Sequence, residues 1–150
     1  MNAVLTTSPA DSPRLAEALD SDKLVVVSLC AAWCGACREF RLVFERVAAS
    51  RPDTAFVWLD IDSDAQVMGE IDVEDFPTLA IYHAGGLQHF GVSLPNERLV
   101  ARLIASLSEG RRKATAATAA NSPLSTAHAH AAELPKLMRA AVSMAATASA

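Results

Sequence analysis

The sequence predicts a three-layer α/β domain over residues 1–110, a central mixed β-sheet flanked by helices, followed by an alanine-rich C-terminal tail over 111–150. Three observations predict it. Leu24-Val-Val-Val-Ser-Leu-Cys30 is β-branched and almost wholly apolar, as a strand covered on both faces must be. Apolar residues recur at helical spacing on either side of it. Late in the domain, Gly85-Gly86 joins two short apolar runs as a hairpin turn. Parallel strands joined through helices and closed by an antiparallel hairpin give helices on both faces of one sheet.

Taken in order, residues 1–7 can add an edge strand. Ser12-Pro13 places a hydroxyl cap before a proline at the first helical position, and Leu15, Ala16, Ala18 and Leu19 supply the apolar face of a short helix over about 12–20. After the central strand, Phe40, Val43, Phe44 and Val47 fall at i, i+3, i+4 and i+7 and the run stops before Pro52, so a helix starts at Cys34. Ala55–Leu59 reads as a second buried strand, Asp64–Glu70 as a short helix, Leu79–Tyr82 as a third strand and Leu87–Gly91 as its hairpin partner. A last helix near 95–109 carries Leu99, Val100, Leu103, Ile104 and Leu107, with Gly110 as its stop.

With 150 residues and 51% of them hydrophobic, the chain can bury one core with an appendage. The net charge of −4 conceals an asymmetry: residues 1–110 hold 8 Lys+Arg against 16 Asp+Glu, and 111–150 hold 5 against 1. An acidic globular part argues against nucleic acid as a partner. Met1–Asp22 lacks a basic start followed by an apolar run and carries Asp11, Glu17, Asp20 and Asp22, unlike a secretory signal. Leu24–Trp33 is far shorter than the roughly 18 residues needed to span a bilayer. The expectation is a cytoplasmic protein with no membrane partner.

From Arg111-Arg112-Lys113 onward the composition shifts, with 15 alanines in 40 residues. Leu134, Leu137, Met138, Ala141, Val142 and Ala145 nevertheless share one helical face. Two readings stay open: a partly helical, poorly ordered tail, and a helix docked on a partner or back on the domain.

Three cysteines are too few for a disulfide-stapled secreted scaffold, and the Cys34-Gly35-Ala36-Cys37 spacing reads as redox or metal chemistry. The pair follows a strand and opens a helix, where unpaired N–H groups and the helix dipole favour a thiolate on Cys34. Cys34 is the expected nucleophile and Cys37 the thiol that resolves its mixed disulfide. A zinc site would need a second pair or His ligands, and His83, His89, His128 and His130 show no such spacing, so no metal or other cofactor is expected. Simple packing of the pair fits poorly with Trp33 just before an exposed helix start, although tryptophan packs more often than it acts.

Trp33-Cys34-Gly35-Ala36-Cys37 resembles the active-site signature of the thioredoxin family, and Phe76-Pro77-Thr78, 40 residues past Cys37, resembles its cis-proline loop. The resemblance spans about residues 20–108. It implies the thioredoxin-like fold and a protein-disulfide reductase cycling Cys34 and Cys37 between dithiol and disulfide, with a thioredoxin reductase or glutathione as electron donor. It further assigns Trp33, Gly35, Ala36, Phe76, Pro77 and Thr78 to substrate binding, with the backbone before Pro77 pairing with an extended substrate segment by β-augmentation.

The chain also departs from the family pattern. Ala36 stands where thioredoxin usually has proline. The family's buried Asp falls at Ser28 and its accompanying Lys at Trp58, so proton transfer to Cys37 lacks its usual groups. That loss motivates an alternative function, a redox-sensing or chaperone-like binding module with little turnover. Asp75 and Arg38 set opposite charges near the groove or are ordinary solvated charges. Cys30 reads as a small buried residue at a strand end, with a regulatory or resolving third thiol as the alternative.

Overall fold

A computed structural model describes residues 4–7, 9–31, 33–68, 71, 77–83, 86–92, 96–113 and 133–148. The elements are β1 (Val4–Leu5), α1 (Ser12–Asp20), β2 (Leu24–Cys30), α2 (Gly35–Ser50), β3 (Ala55–Asp60), α3 (Ala65–Met68), β4 (Thr78–His83), β5 (Gly86–Val92), α4 (Glu97–Lys113) and α5 (Leu134–Ala148). They build one sheet in the order β1-β3-β2-β4-β5, the first three strands parallel and the last two antiparallel.

All seven residues of β2 are buried, because it lies mid-sheet with helices on both faces. The period of two sorts its side chains. Val25, Val27 and Leu29 join a core with Leu15, Leu19, Val67, Ile71, Leu134 and Met138, on the face of α1, α3 and α5. Leu24 and Val26 join the other core, with Phe40, Phe44, Val47, Val100 and Ile104 of α2 and α4. Ser28 and Cys30 continue the second parity and so lie on the α2 face.

Two expectations are corrected. Ser12 is buried inside α1 and does not cap it; a 3-10 turn over Pro9–Asp11 runs into the helix, and Asp11 takes the N-cap position without a side-chain capping bond. The Asp11 carboxylate is engaged elsewhere, accepting from the Thr6 amide at 3.0 Å and the Thr6 hydroxyl at 2.8 Å. Gly110 does not stop α4, which runs on to Lys113. A glycine inside a helix costs only about 1 kcal/mol relative to alanine, too little to end it alone. At its start, α4 is capped by Asn96, whose Oδ1 accepts from the Leu99 amide at 3.2 Å.

The C-terminal apolar stripe forms a helix packed on α1 and α3. Leu134 and Met138 are fully buried there, with Leu137, Ala141 and Val142 partly covered. Arg139 pins α5 to the end of α1 through an ion pair with Asp20 and a 3.0 Å hydrogen bond to the Leu19 carbonyl. These residues add to the core of the domain.

Candidate redox site

The site lies where β2 ends and α2 begins. The Ile61 amide donates to the Cys30 carbonyl at 2.8 Å, tying the end of β2 to the residue after β3. A turn follows, closed by the Cys34 amide donating to the Ala31 carbonyl at 3.1 Å. Cys34 is the N-cap of α2 in extended backbone conformation, and its carbonyl accepts the first helical bond from the Arg38 amide at 3.3 Å. Its thiol is half-buried at the rim, whereas Cys37, one turn on, is buried.

The inner face of α2 fixes that placement. Cys37, Phe40 and Phe44 follow one another at three and four residues, so they share a stripe pressed to the sheet. Phe44 meets Phe56 edge-on at 5.3 Å between ring centroids and Trp58 at 5.6 Å, and Phe40 stacks with Trp58 at 6.4 Å. The Arg41 guanidinium lies 4.9 Å from the centre of the Trp58 ring and pairs with Glu45 at 3.0 Å. Trp58 thus fills with aromatic surface the place the family gives to lysine.

Ser28, where the family has its buried Asp, has its hydroxyl 3.5 Å from the Cys30 sulfur. The structure places Cys30 and Cys37 within disulfide reach of each other, with Cα atoms 5.9 Å apart, and leaves Cys34 outside that pair. Cys30 is buried at the end of β2, as its sequence reading expects, and its place beside Cys37 fits the alternative of a third thiol. The signal was available: Cys30 has the parity of Leu24 and Val26, and Cys37 the helical phase of Phe40 and Phe44.

The other predicted residues gather around the pair to different degrees. Trp33 is 63% exposed and donates its Nε1–H to Asp62 at 3.1 Å, a partner that sequence spacing could not supply. Gly35 and Ala36 are exposed on the first turn of α2, and a Cβ at Gly35 would meet nothing within 4 Å. Pro77 and Thr78 are buried at the start of β4, with Thr78 in register with Leu29 beside the end of β2. Phe76, Asp75 and Gly85 lie outside the described residues.

Beside Cys37 is an open cleft of about 250 Å³ lined by Ala31, Cys37, Arg38, Arg41 and Trp58. A larger cavity of about 570 Å³ lies at the other end of the sheet, bounded by Lys23, Arg51, Thr54 and Ala55, and holds no cysteine. Among the described residues no group of three or more His, Cys, Asp or Glu side chains is placed to hold a metal, and no helix is long and apolar enough to cross a membrane.

Comparison with known proteins bears on the family and the fold. The thioredoxin family model matches residues 9–105. Thioredoxin-2 of Saccharomyces cerevisiae is 38% identical over 85 residues, covering 57% of this chain and 81% of that protein. A bifunctional thioredoxin reductase/thioredoxin of Mycobacterium leprae is 32% identical over 85 residues, 56% of this chain and 19% of that protein. The crystal structure of a thioredoxin from Nicotiana alata superposes with a TM-score of 0.59 at 24% identity, over 70% of this chain and 92% of that one, a likeness of fold.

Proposed function

The chain belongs to the thioredoxin family of thiol–disulfide oxidoreductases, and we propose that it reduces or exchanges disulfides in protein substrates through Cys34 and Cys37. The observation that carries this reading is the Cys-x-x-Cys pair at the start of α2, its first thiol half-buried at the rim and its second buried one turn behind. The Cys34 thiolate attacks one sulfur of a substrate disulfide and expels the other as a thiolate. Cys37 then attacks the Cys34 sulfur of the mixed disulfide, which releases the second substrate thiol and leaves a Cys34–Cys37 disulfide.

Substrate binding falls to the exposed rim of Trp33, Gly35 and Ala36 and to the loop of Phe76, Pro77 and Thr78, whose backbone pairs with an extended segment of the client. The bare approach over Gly35 supports this. A thioredoxin reductase or glutathione returns the electrons; the Mycobacterium leprae relative, whose name joins a thioredoxin reductase and a thioredoxin, favours the former. The cytoplasm, which keeps thiols reduced, is the compartment that suits this direction.

Reduction of insulin disulfides tests the reading. Cys34→Ser is expected to abolish turnover, and Cys37→Ser to accumulate mixed disulfides that reductant releases. If the wild-type chain neither reduces insulin nor leaves a trapped species in Cys37→Ser, the alternative of a redox-sensing or chaperone-like binding module takes its place. A Cys34→Ser, Cys37→Ser double variant would then retain its partner. Ser28 and Trp58, at the two positions where the family keeps its proton-handling groups, are what favour that alternative.

A further inference from the structure

We propose that Cys30 is a third redox cysteine, which takes Cys37 over from the Cys34–Cys37 disulfide, so that the oxidised protein rests with its disulfide in the interior and a free thiol at Cys34. The proposal rests on the reading of Cys34 and Cys37 as the working pair. Strand parity turns Cys30 toward α2, and helical phase turns Cys37 toward β2. The two are 1% and 2% exposed, and their Cα separation of 5.9 Å is common for bonded cysteines. Cys34 is the cysteine left free.

The exchange needs no outside oxidant. The Cys30 thiol gives up its proton, its thiolate attacks the Cys37 sulfur, the Cys37–Cys34 bond breaks, and Cys34 leaves as a thiolate that solvent can protonate. One disulfide is lost and one gained, with no net change in electrons. The Ser28 hydroxyl, 3.5 Å from the Cys30 sulfur, can donate to the thiolate while it carries charge. Disulfide exchange requires access to sulfur, and an external thiol cannot reach a bond between two buried cysteines. Reduction of the resting form therefore runs through Cys34, which attacks Cys37 and returns the disulfide to the rim. Until then the oxidised protein keeps a nucleophile that can capture another disulfide, with Cys37 occupied and unable to release it.

The bond positions decide the matter. Trypsin cannot separate the three cysteines, because no Lys or Arg lies between Lys23 and Arg38, but chymotrypsin cleaves after Trp33. The full chain is reduced, oxidised with stoichiometric diamide, blocked with excess N-ethylmaleimide in acidified denaturant, and mapped by mass spectrometry. The expected result is maleimide on Cys34, with the peptide ending at Trp33 still disulfide-linked to the peptide carrying Cys37. Maleimide on Cys30, with the peptide ending at Trp33 released, overturns the proposal. Total incorporation is one maleimide per wild-type chain for either pairing, so Cys34→Ser supplies the second arm: oxidation should close Cys30 onto Cys37 and leave no maleimide, and two maleimides per chain also overturn the proposal. Insulin reduction on the same samples keeps the two readings apart: wild type failing to reduce insulin counts against the Cys34–Cys37 cycle, whereas unchanged insulin reduction with the Cys34–Cys37 bond in the map counts against Cys30 alone.

Discussion

The two faces of the sheet are filled with different materials. Against α2 and α4 the core is built around rings, with Phe40, Phe44 and Phe56 buried and Trp58 beside them. Against α1, α3 and α5 it is mainly aliphatic, from Leu5, Leu15 and Val27 to Leu134 and Met138, with Tyr82 as its one fully buried ring among the described residues. Rings that meet edge-on hold their neighbours in particular orientations, whereas branched aliphatic chains mainly exclude water. The helix that carries Cys37 sits on the oriented face, and the C-terminal helix closes the other. One face is therefore suited to aiming a thiol and the other to holding the domain together.

Substitutions on the two faces should separate those roles. The largest effect is expected for Phe44→Ala, about 3–5 kcal/mol of stability by urea unfolding, because it removes a fully buried ring that touches Phe40, Phe56 and Trp58. Insulin reduction should also slow in the fraction that remains folded, since the ring sets the seat of α2. On the opposite face Leu134→Ala should cost about 2–5 kcal/mol and leave the rate per folded molecule unchanged; a slowed rate there would join the two faces functionally. The smallest change is expected for Arg139→Ala, within about 1 kcal/mol, since its ion pair with Asp20 is half exposed. A thermal unfolding series in rising salt should shrink that difference further.

The sequence made the frame legible wherever a single period ran long enough. The apolar run of β2 and the spacing of Phe40, Val43, Phe44 and Val47 each point to one element, and both lie where they were expected. Val4–Leu5 is too short to carry a period; it is a strand because β3 offers it a parallel edge. The fate of the stripe from Leu134 to Val142 depended on an open face of the sheet, which no local pattern reveals. At the site, the Cys34-x-x-Cys37 spacing and Trp33 announced themselves as a motif. Cys30 and Cys37 did not, because their seven-residue separation crosses a strand, a turn and a helix start, and only the combination of two periodicities brings them together.

The two tryptophans border different members of this cysteine group. Trp33 is open to solvent immediately before Cys34, and Trp58 lines the cleft that Cys37 borders. Disulfide sulfur quenches an excited indole by electron transfer at contact range, so each ring is a built-in optical reporter of a different bond. Emission from Trp33 should follow capture of a client at the rim, and emission from Trp58 the arrival of the disulfide in the interior. With Trp33→Phe and Trp58→Phe variants, a stopped-flow trace would resolve the outward and inward halves of the cycle in time, with no added dye.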